Sequence, residues 1–93
     1  NINKIIFAYE PVWSIGTNKI PKMDELKNII KFIKSELKKF FMTKKSPLIL
    51  YGGSVNSKNI RLFSLITEID GFLIGGASQS SKKFIDIIKN YYK

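Results

Sequence analysis

Two kinds of residue in this chain could do chemistry together: a carboxylate that ends one apolar run, and pairs of glycines that end two others. Glu10 directly follows the run Ile5-Ile6-Phe7-Ala8-Tyr9, and a proline comes next. A strand-end carboxylate held against aromatics can act as a general base. On residue type alone, however, such a glutamate more often takes part in a surface ion pair.

The segment after Glu10 is typical of a loop that covers a site. Gly16 and Asn18 tolerate backbone angles that most residues avoid. Loops that a rigid scaffold holds in place often carry functional residues, and active-site lids are loops of this kind. We therefore interpret residues 11–19 as a lid over the glutamate.

The glycine pairs Gly52-Gly53 and Gly75-Gly76 each precede a small polar segment, Ser54 and Ala77-Ser78 respectively. Glycines let the backbone approach a ligand closely, so that amide N–H groups can bind an anion. A lone Gly-Gly is usually only a turn. Two pairs that end successive parallel strands favour a phosphate site, which barrel enzymes place in the loops after strands 7 and 8.

The elements that must position these residues form three similar units. Short apolar runs predict strands at 4–9, 48–51 and 71–74, and each run is followed by a helical pattern. The first helix carries the stripe Leu26, Ile29, Ile30, Ile33, Leu37, Phe40 and Phe41, and the next two cover 57–66 and 82–92. Strand–helix alternation predicts an α/β fold with parallel strands. Periodicity leaves an open flavodoxin-like sheet and a section of closed barrel equally possible.

Composition limits the chemistry. The chain has no cysteine and no histidine, which excludes a thiolate nucleophile, a Cys-based zinc site and imidazole catalysis within it. We expect no cofactor and no metal. The net charge of +9 comes from lysines spread over several helices, so a solvated surface explains it better than nucleic-acid binding. Apolar runs are too short for a membrane span, and we expect a cytoplasmic protein.

Three blocks carry a resemblance to triose-phosphate isomerase. They are Ala8-Tyr9-Glu10-Pro11-Val12-Trp13-Ser14-Ile15-Gly16-Thr17, Tyr51-Gly52-Gly53-Ser54-Val55 and Gly71-Phe72-Leu73-Ile74-Gly75-Gly76-Ala77-Ser78. They occur in the family order and at about the family spacing. The resemblance implies that residues 1–93 are a C-terminal fragment of a (β/α)8 TIM-barrel domain: three consecutive β-α units, strands 6 to 8, with parallel strands in an incomplete barrel.

The resemblance also implies the reaction, an aldose–ketose isomerisation of glycolysis and gluconeogenesis. Dihydroxyacetone phosphate and glyceraldehyde 3-phosphate would interconvert by proton transfer through an enediolate, with Glu10 as the catalytic base. The phosphate would be bound by backbone N–H groups of Gly16, Ser54, Gly75 and Gly76. The lid and its hinges would comprise Pro11, Val12, Trp13, Lys19, Ile20 and Pro21, with Tyr51 as the family's latch to the second hinge.

Pro21 departs from the family pattern at that second hinge. In the family, the tyrosine of the Tyr-Gly-Gly-Ser block bonds the backbone N–H at this hinge position when the lid is closed. Proline has no N–H, so Tyr51 cannot make this bond in its usual form. We expect a closed lid that is held more by the Ser54 region.

The family also uses a lysine and an asparagine from its first strand region and a histidine from its fourth, and no motif here matches them. Its members are homodimers, but the main dimer loop has no counterpart in these residues. We therefore expect the isolated chain to be molten or aggregating and catalytically inert. The alternatives are a non-catalytic phosphate-binding remnant of the same barrel and a basic nucleic-acid-binding module. The last leaves Glu10 and both glycine pairs unexplained.

Overall fold

The computed structural model describes residues 2–12 and 19–93. In this part of the chain, strands and helices alternate in the predicted order. The elements are β1 (Phe7–Tyr9), α1 (Met23–Phe40), β2 (Ile49–Gly52), α2 (Ile60–Ser64), β3 (Gly71–Leu73) and α3 (Ser81–Tyr91). Short 3-10 turns occupy Ile2–Lys4 and Gly76–Gln79. None of the helices in the described ranges is long and apolar enough to cross a membrane.

The described strands form one open parallel sheet in the order β1-β2-β3. Tyr9 pairs with Tyr51, which in turn pairs with Phe72, so the three strands keep one continuous register. Each pair of neighbouring strands is joined through a helix, as parallel pairing requires. The prediction of three consecutive β-α units with parallel strands is confirmed, and the sheet is not a closed barrel.

The helices cover one face of this sheet and build the core with it. Alternate strand residues Phe7, Tyr9, Ile49, Tyr51 and Phe72 point to that face. The fully or nearly buried members of the core are Leu26, Ile30, Ile49, Tyr51, Val55, Ile60, Phe63, Ile66 and Ile87. Each fully buried Leu, Ile or Phe side chain contributes about 1.5–3 kcal/mol to the free energy of unfolding. This packing fixes which residues the strands present to the other face.

The opposite face of the sheet has no covering layer in the described part of the chain. Ala8 is exposed and its partner Leu50 is half-buried, while Leu73 on β3 remains 43% exposed. Just before β1, Ile6 is 61% exposed. The apolar run at β1 is therefore buried on one face only. An apolar face of this kind requires another layer to exclude water from it.

Several sequence-based boundaries are corrected by the structure. The first strand begins at Phe7 rather than residue 4, because Ile2–Lys4 form a 3-10 turn closed by the N–H of Ile5. The second helix covers Ile60–Ser64 rather than 57–66, and residues 56–59 form side-chain-bonded turns instead. On α1, Phe40 belongs to the apolar stripe, yet its side chain is 78% exposed.

Asp70 joins the amino ends of the second and third strands to the first helix. Its carboxylate accepts hydrogen bonds from the Ile49 N–H at 2.9 Å and from the Lys34 ammonium at 2.8 Å. Its own N–H donates to the carbonyl of Ile49 at 2.9 Å. Asp70 therefore closes the end of the sheet opposite to the glycine pairs, where barrel folds concentrate residues that matter for stability.

We expect Asp70→Ala to lower the free energy of unfolding by about 1–3 kcal/mol, because the Ile49 N–H loses its acceptor at a buried residue. Urea unfolding of a folded protein that contains these three units measures the effect. Glu36→Ala is the matched control. Its carboxylate only meets Lys39 at 3.8 Å on the exposed surface of α1, and its loss should cost less than about 0.5 kcal/mol. Equal losses in the two variants would contradict this assignment.

Candidate functional site

The predicted site residues gather at the carboxyl edge of the sheet. Glu10 directly follows β1, Gly52 ends β2 and is followed by Gly53 and Ser54, and Gly75 lies two residues beyond β3. Because parallel strands end at the same edge, the three loops meet there. The pairing register therefore brings together residues that are more than 40 positions apart in sequence.

Glu10 lies across the backbone of Gly52. A Cβ atom placed on Gly52 would stand 2.6 Å from the Cγ of Glu10 and 3.0 Å from its Cδ. Real Cβ atoms do not approach other carbons so closely, so only glycine leaves room for the glutamate at this position. The carboxylate itself is exposed at the rim of the uncovered face. Gly52 was singled out in sequence only as part of a glycine pair, and its contact with Glu10 required the strand register to be known.

The loop after β2 is held in shape by two asparagine side chains. The Nδ2 of Asn59 donates to the carbonyl of Ser54 at 2.6 Å, and its Oδ1 accepts from the N–H of Asn56 at 2.8 Å. The Oδ1 of Asn56 accepts from the N–H groups of Lys58 and Asn59. Sequence reasoning missed both asparagines, although the spacing Asn-Ser-Lys-Asn after a glycine pair is a signal for such side-chain-closed turns.

The third loop presents the second glycine pair beside a 3-10 turn. A Cβ placed on Gly75 or Gly76 would meet no atom within 4 Å. The Ser78 N–H and hydroxyl both donate to the Gly75 carbonyl, which fixes the start of the turn. Packing within the described residues does not require glycine at these two positions, and both are open for the close approach of a ligand.

A cavity of about 500 Å³ lies between these two loops. Ser54 lines one side of it and Gly76 the other, so the cavity joins two of the predicted phosphate-binding positions. Lys58 and Lys83 add positive charge to its wall, and Asp86 adds negative charge. Among residues 2–12 and 19–93, no cluster of acidic side chains could hold a metal ion. The arrangement suits an anion that is bound mainly by backbone groups.

The lid positions are only partly described. At the first hinge, Pro11 is buried and Val12 is 84% exposed. At the second hinge, Pro21 is buried, whereas Lys19 and Ile20 before it are exposed. Two site residues, Trp13 and Gly16, lie outside the described residues. Tyr51 is fully buried, with its ring 4.7 Å from that of Phe63. The altered latch between Tyr51 and Pro21 stays a prediction.

Comparisons with known proteins agree with the sequence resemblance. The family model described as triosephosphate isomerase matches residues 1–91. The triosephosphate isomerase of Borreliella burgdorferi (strain ZS7) is 45% identical over 92 residues, which are 97% of this chain and 36% of that protein. The triosephosphate isomerase of Mycoplasmopsis agalactiae (strain NCTC 10123 / CIP 59.7 / PG2) is 43% identical over 88 residues, 95% of this chain and 32% of that protein.

The chain thus spans about a third of the length of the curated relatives it matches. The family resemblance that was carried by the three sequence blocks is confirmed. Its placement on strands 6 to 8 rests on the order of those blocks and stays a prediction.

We expect Gly52→Ala to displace the Glu10 side chain, because the new methyl group would overlap its Cγ. A crystal structure of a folded protein that contains these units should show the carboxylate moved by about 1 Å or more, a displacement that would impair any catalytic role of this side chain. Gly71→Ala is the matched control on the same face. Its Cβ would stand 2.8 Å from the Cδ2 of Leu50, the movable end of a flexible side chain. An unmoved Glu10 in Gly52→Ala would show the prediction to be wrong.

Proposed function

Because the chain belongs to the triosephosphate isomerase family, we propose that it supplies the base and the phosphate site of an enzyme that interconverts dihydroxyacetone phosphate and glyceraldehyde 3-phosphate. This proposal rests on one observation at the carboxyl edge of the sheet: Glu10 lies beside Gly52 there, and Ser54 and Gly76 line one cavity. A base and an anion site on neighbouring strand ends are what proton abstraction from a phosphorylated triose needs.

In the proposed reaction, the carboxylate of Glu10 takes a proton from the carbon next to the substrate carbonyl, and the electrons move to form an enediolate. The same carboxylic acid returns the proton to the former carbonyl carbon, while the hydroxyl proton of the first carbon passes to the oxygen of that former carbonyl, so that the new carbonyl forms on the first carbon. Backbone N–H groups of Gly16, Ser54, Gly75 and Gly76 bind the phosphate, so that the reacting carbons stay within reach of Glu10. Positioning of this kind contributes a large part of a catalysed rate.

This chain does not hold every group that the reaction needs. Charge that develops on the substrate oxygen must be stabilised by a donor, and the family's histidine donor has no counterpart in a sequence without histidine. Loss of one such donor typically slows catalysis by about 10²–10³-fold. We propose that the chain acts as part of a complete barrel, in which it forms strands 6 to 8.

The uncovered face of the sheet supports the same proposal. Ala8, Leu50 and Leu73 lie on that face with Glu10 at its rim. In a closed barrel this face becomes the packed interior, and the bases of enzymes with this fold stand at its upper rim. The homodimer, the cytoplasmic location, and the absence of nucleic-acid and membrane partners stay predictions.

The first test uses a grafted barrel: the Borreliella burgdorferi relative with its 92 matched residues replaced by those of this chain. We expect the grafted barrel to isomerise glyceraldehyde 3-phosphate, and Glu10→Gln to lower kcat by about 10²–10⁴-fold, the usual contribution of a general base. Glu36→Gln, on the exposed surface of α1, is the matched control and should leave kcat unchanged. A folded grafted barrel that binds phosphate without turnover would favour the non-catalytic remnant.

The second test uses the 93-residue chain alone. Its uncovered apolar face and open strand edges predict association or a loose fold rather than cooperative unfolding. We expect no isomerase activity, a broad urea transition in circular dichroism and self-association in size-exclusion chromatography. A monomer with a sharp transition and measurable turnover would contradict the proposal that the rest of the barrel is needed.

A further inference from the structure

The loop that carries Ser54 owes its shape to a residue at the start of the next helix. Asn59 occupies the position that precedes α2, where an asparagine side chain ordinarily caps the helix by accepting a bond from its first turn. Here the side chain makes no such bond. It turns back instead and donates to the Ser54 carbonyl at 2.6 Å, in a half-buried setting.

A second bond completes the restraint on this loop. The N–H of Val55 donates to the carbonyl of Gly53 at 3.0 Å, so that Ser54 is the central residue of a three-residue turn. In a trans peptide, the N–H and C=O groups point in opposite directions. The bond to the Gly53 carbonyl therefore fixes the direction of the Ser54 N–H, and the bond from Asn59 holds the peptide on the other side of Ser54.

We propose that Asn59 is a positioning residue for phosphate binding, which keeps the Ser54 loop in the conformation that presents its N–H to the anion. This inference rests on the proposed phosphate site between Ser54 and Gly76. Asn59 acts through Ser54 and does not line the cavity itself. The Asn59 side chain bonds this loop instead of capping the helix. A preorganised anion site needs such a supporting hydrogen bond to hold its backbone donors in place.

The test measures binding of inorganic phosphate to the grafted barrel. Asn59→Ala removes the donor to Ser54, and we expect the Kd for phosphate to rise about fivefold, the loss expected for one neutral hydrogen bond. Asn90→Ala is the matched control. The Asn90 amide also donates to a backbone carbonyl, that of Asp86 at 2.8 Å, but outside this loop, and its loss should leave the Kd unchanged.

Hydrogen exchange of the Val55 amide gives a readout that does not depend on phosphate. We expect it to accelerate about fivefold in Asn59→Ala, the effect of losing one neutral hydrogen bond, without a matching change in the core amides of Ile49 and Tyr51. Asn59→Asp serves as a second variant if the alanine variant fails to fold. It keeps the acceptor for the Asn56 N–H and replaces the donor to Ser54 with a carboxylate oxygen that repels the Ser54 carbonyl, so it should accelerate the same amide.

Four outcomes would overturn the proposal: an unchanged Kd with faster exchange, unchanged exchange of Val55, an equal rise in Kd for Asn90→Ala, or unfolding of both Asn59 variants. A grafted barrel that binds no phosphate even with Asn59 intact would instead refute the proposed function. Val55 exchange in that protein still decides whether Asn59 holds the loop.

Discussion

The parallel pairing of β2 with both of its neighbours is the constraint on which the rest of the structure depends. Its register aligns Tyr9, Tyr51 and Phe72 in one row that faces the helices. Since side chains alternate along a strand, the next position on each strand points to the other face, which is where Glu10 meets Gly52. A slip of one residue would turn the glutamate toward the core. The site is therefore specified by burial of the aromatic row.

The two faces of the sheet must be covered by different parts of the protein. The helix-covered face is completed within the described residues, where Tyr51 and Phe63 are fully buried. The other face carries small or apolar side chains that nothing in this part of the chain covers. The candidate site stands at the rim of that second face, so the rigidity of Glu10 depends on a layer that the described residues do not supply. Burial of the helix-covered face thus sets the position of the candidate site, and a layer over the other face must shield that site from water.

Sequence patterns could predict the three units and their order because short apolar runs and helical stripes record burial directly. They also located Glu10 and the glycine pairs, which belong to local motifs. The exposed Phe40 was mispredicted because a helical stripe shows which residues are apolar and not whether anything covers them. The hydrogen bonds of the Asn59 side chain could not be predicted in this way, and neither could the contact of Glu10 with Gly52. Both depend on how separate segments lie in the folded protein, and a periodic pattern does not record that.

The glycines at the strand ends fall into two physical classes, and the difference bears on how the site works. Gly52 is confined by the protein itself, since a side chain there would overlap Glu10. Gly75 and Gly76 have open space where a side chain would stand. The first glycine therefore sets the position of Glu10, while the other two leave room for a ligand. Both features follow from one short sheet, so strand register fixes the distance between Glu10 and the proposed phosphate site. In the proposed reaction, the donor that polarises the carbonyl must be supplied from outside these residues.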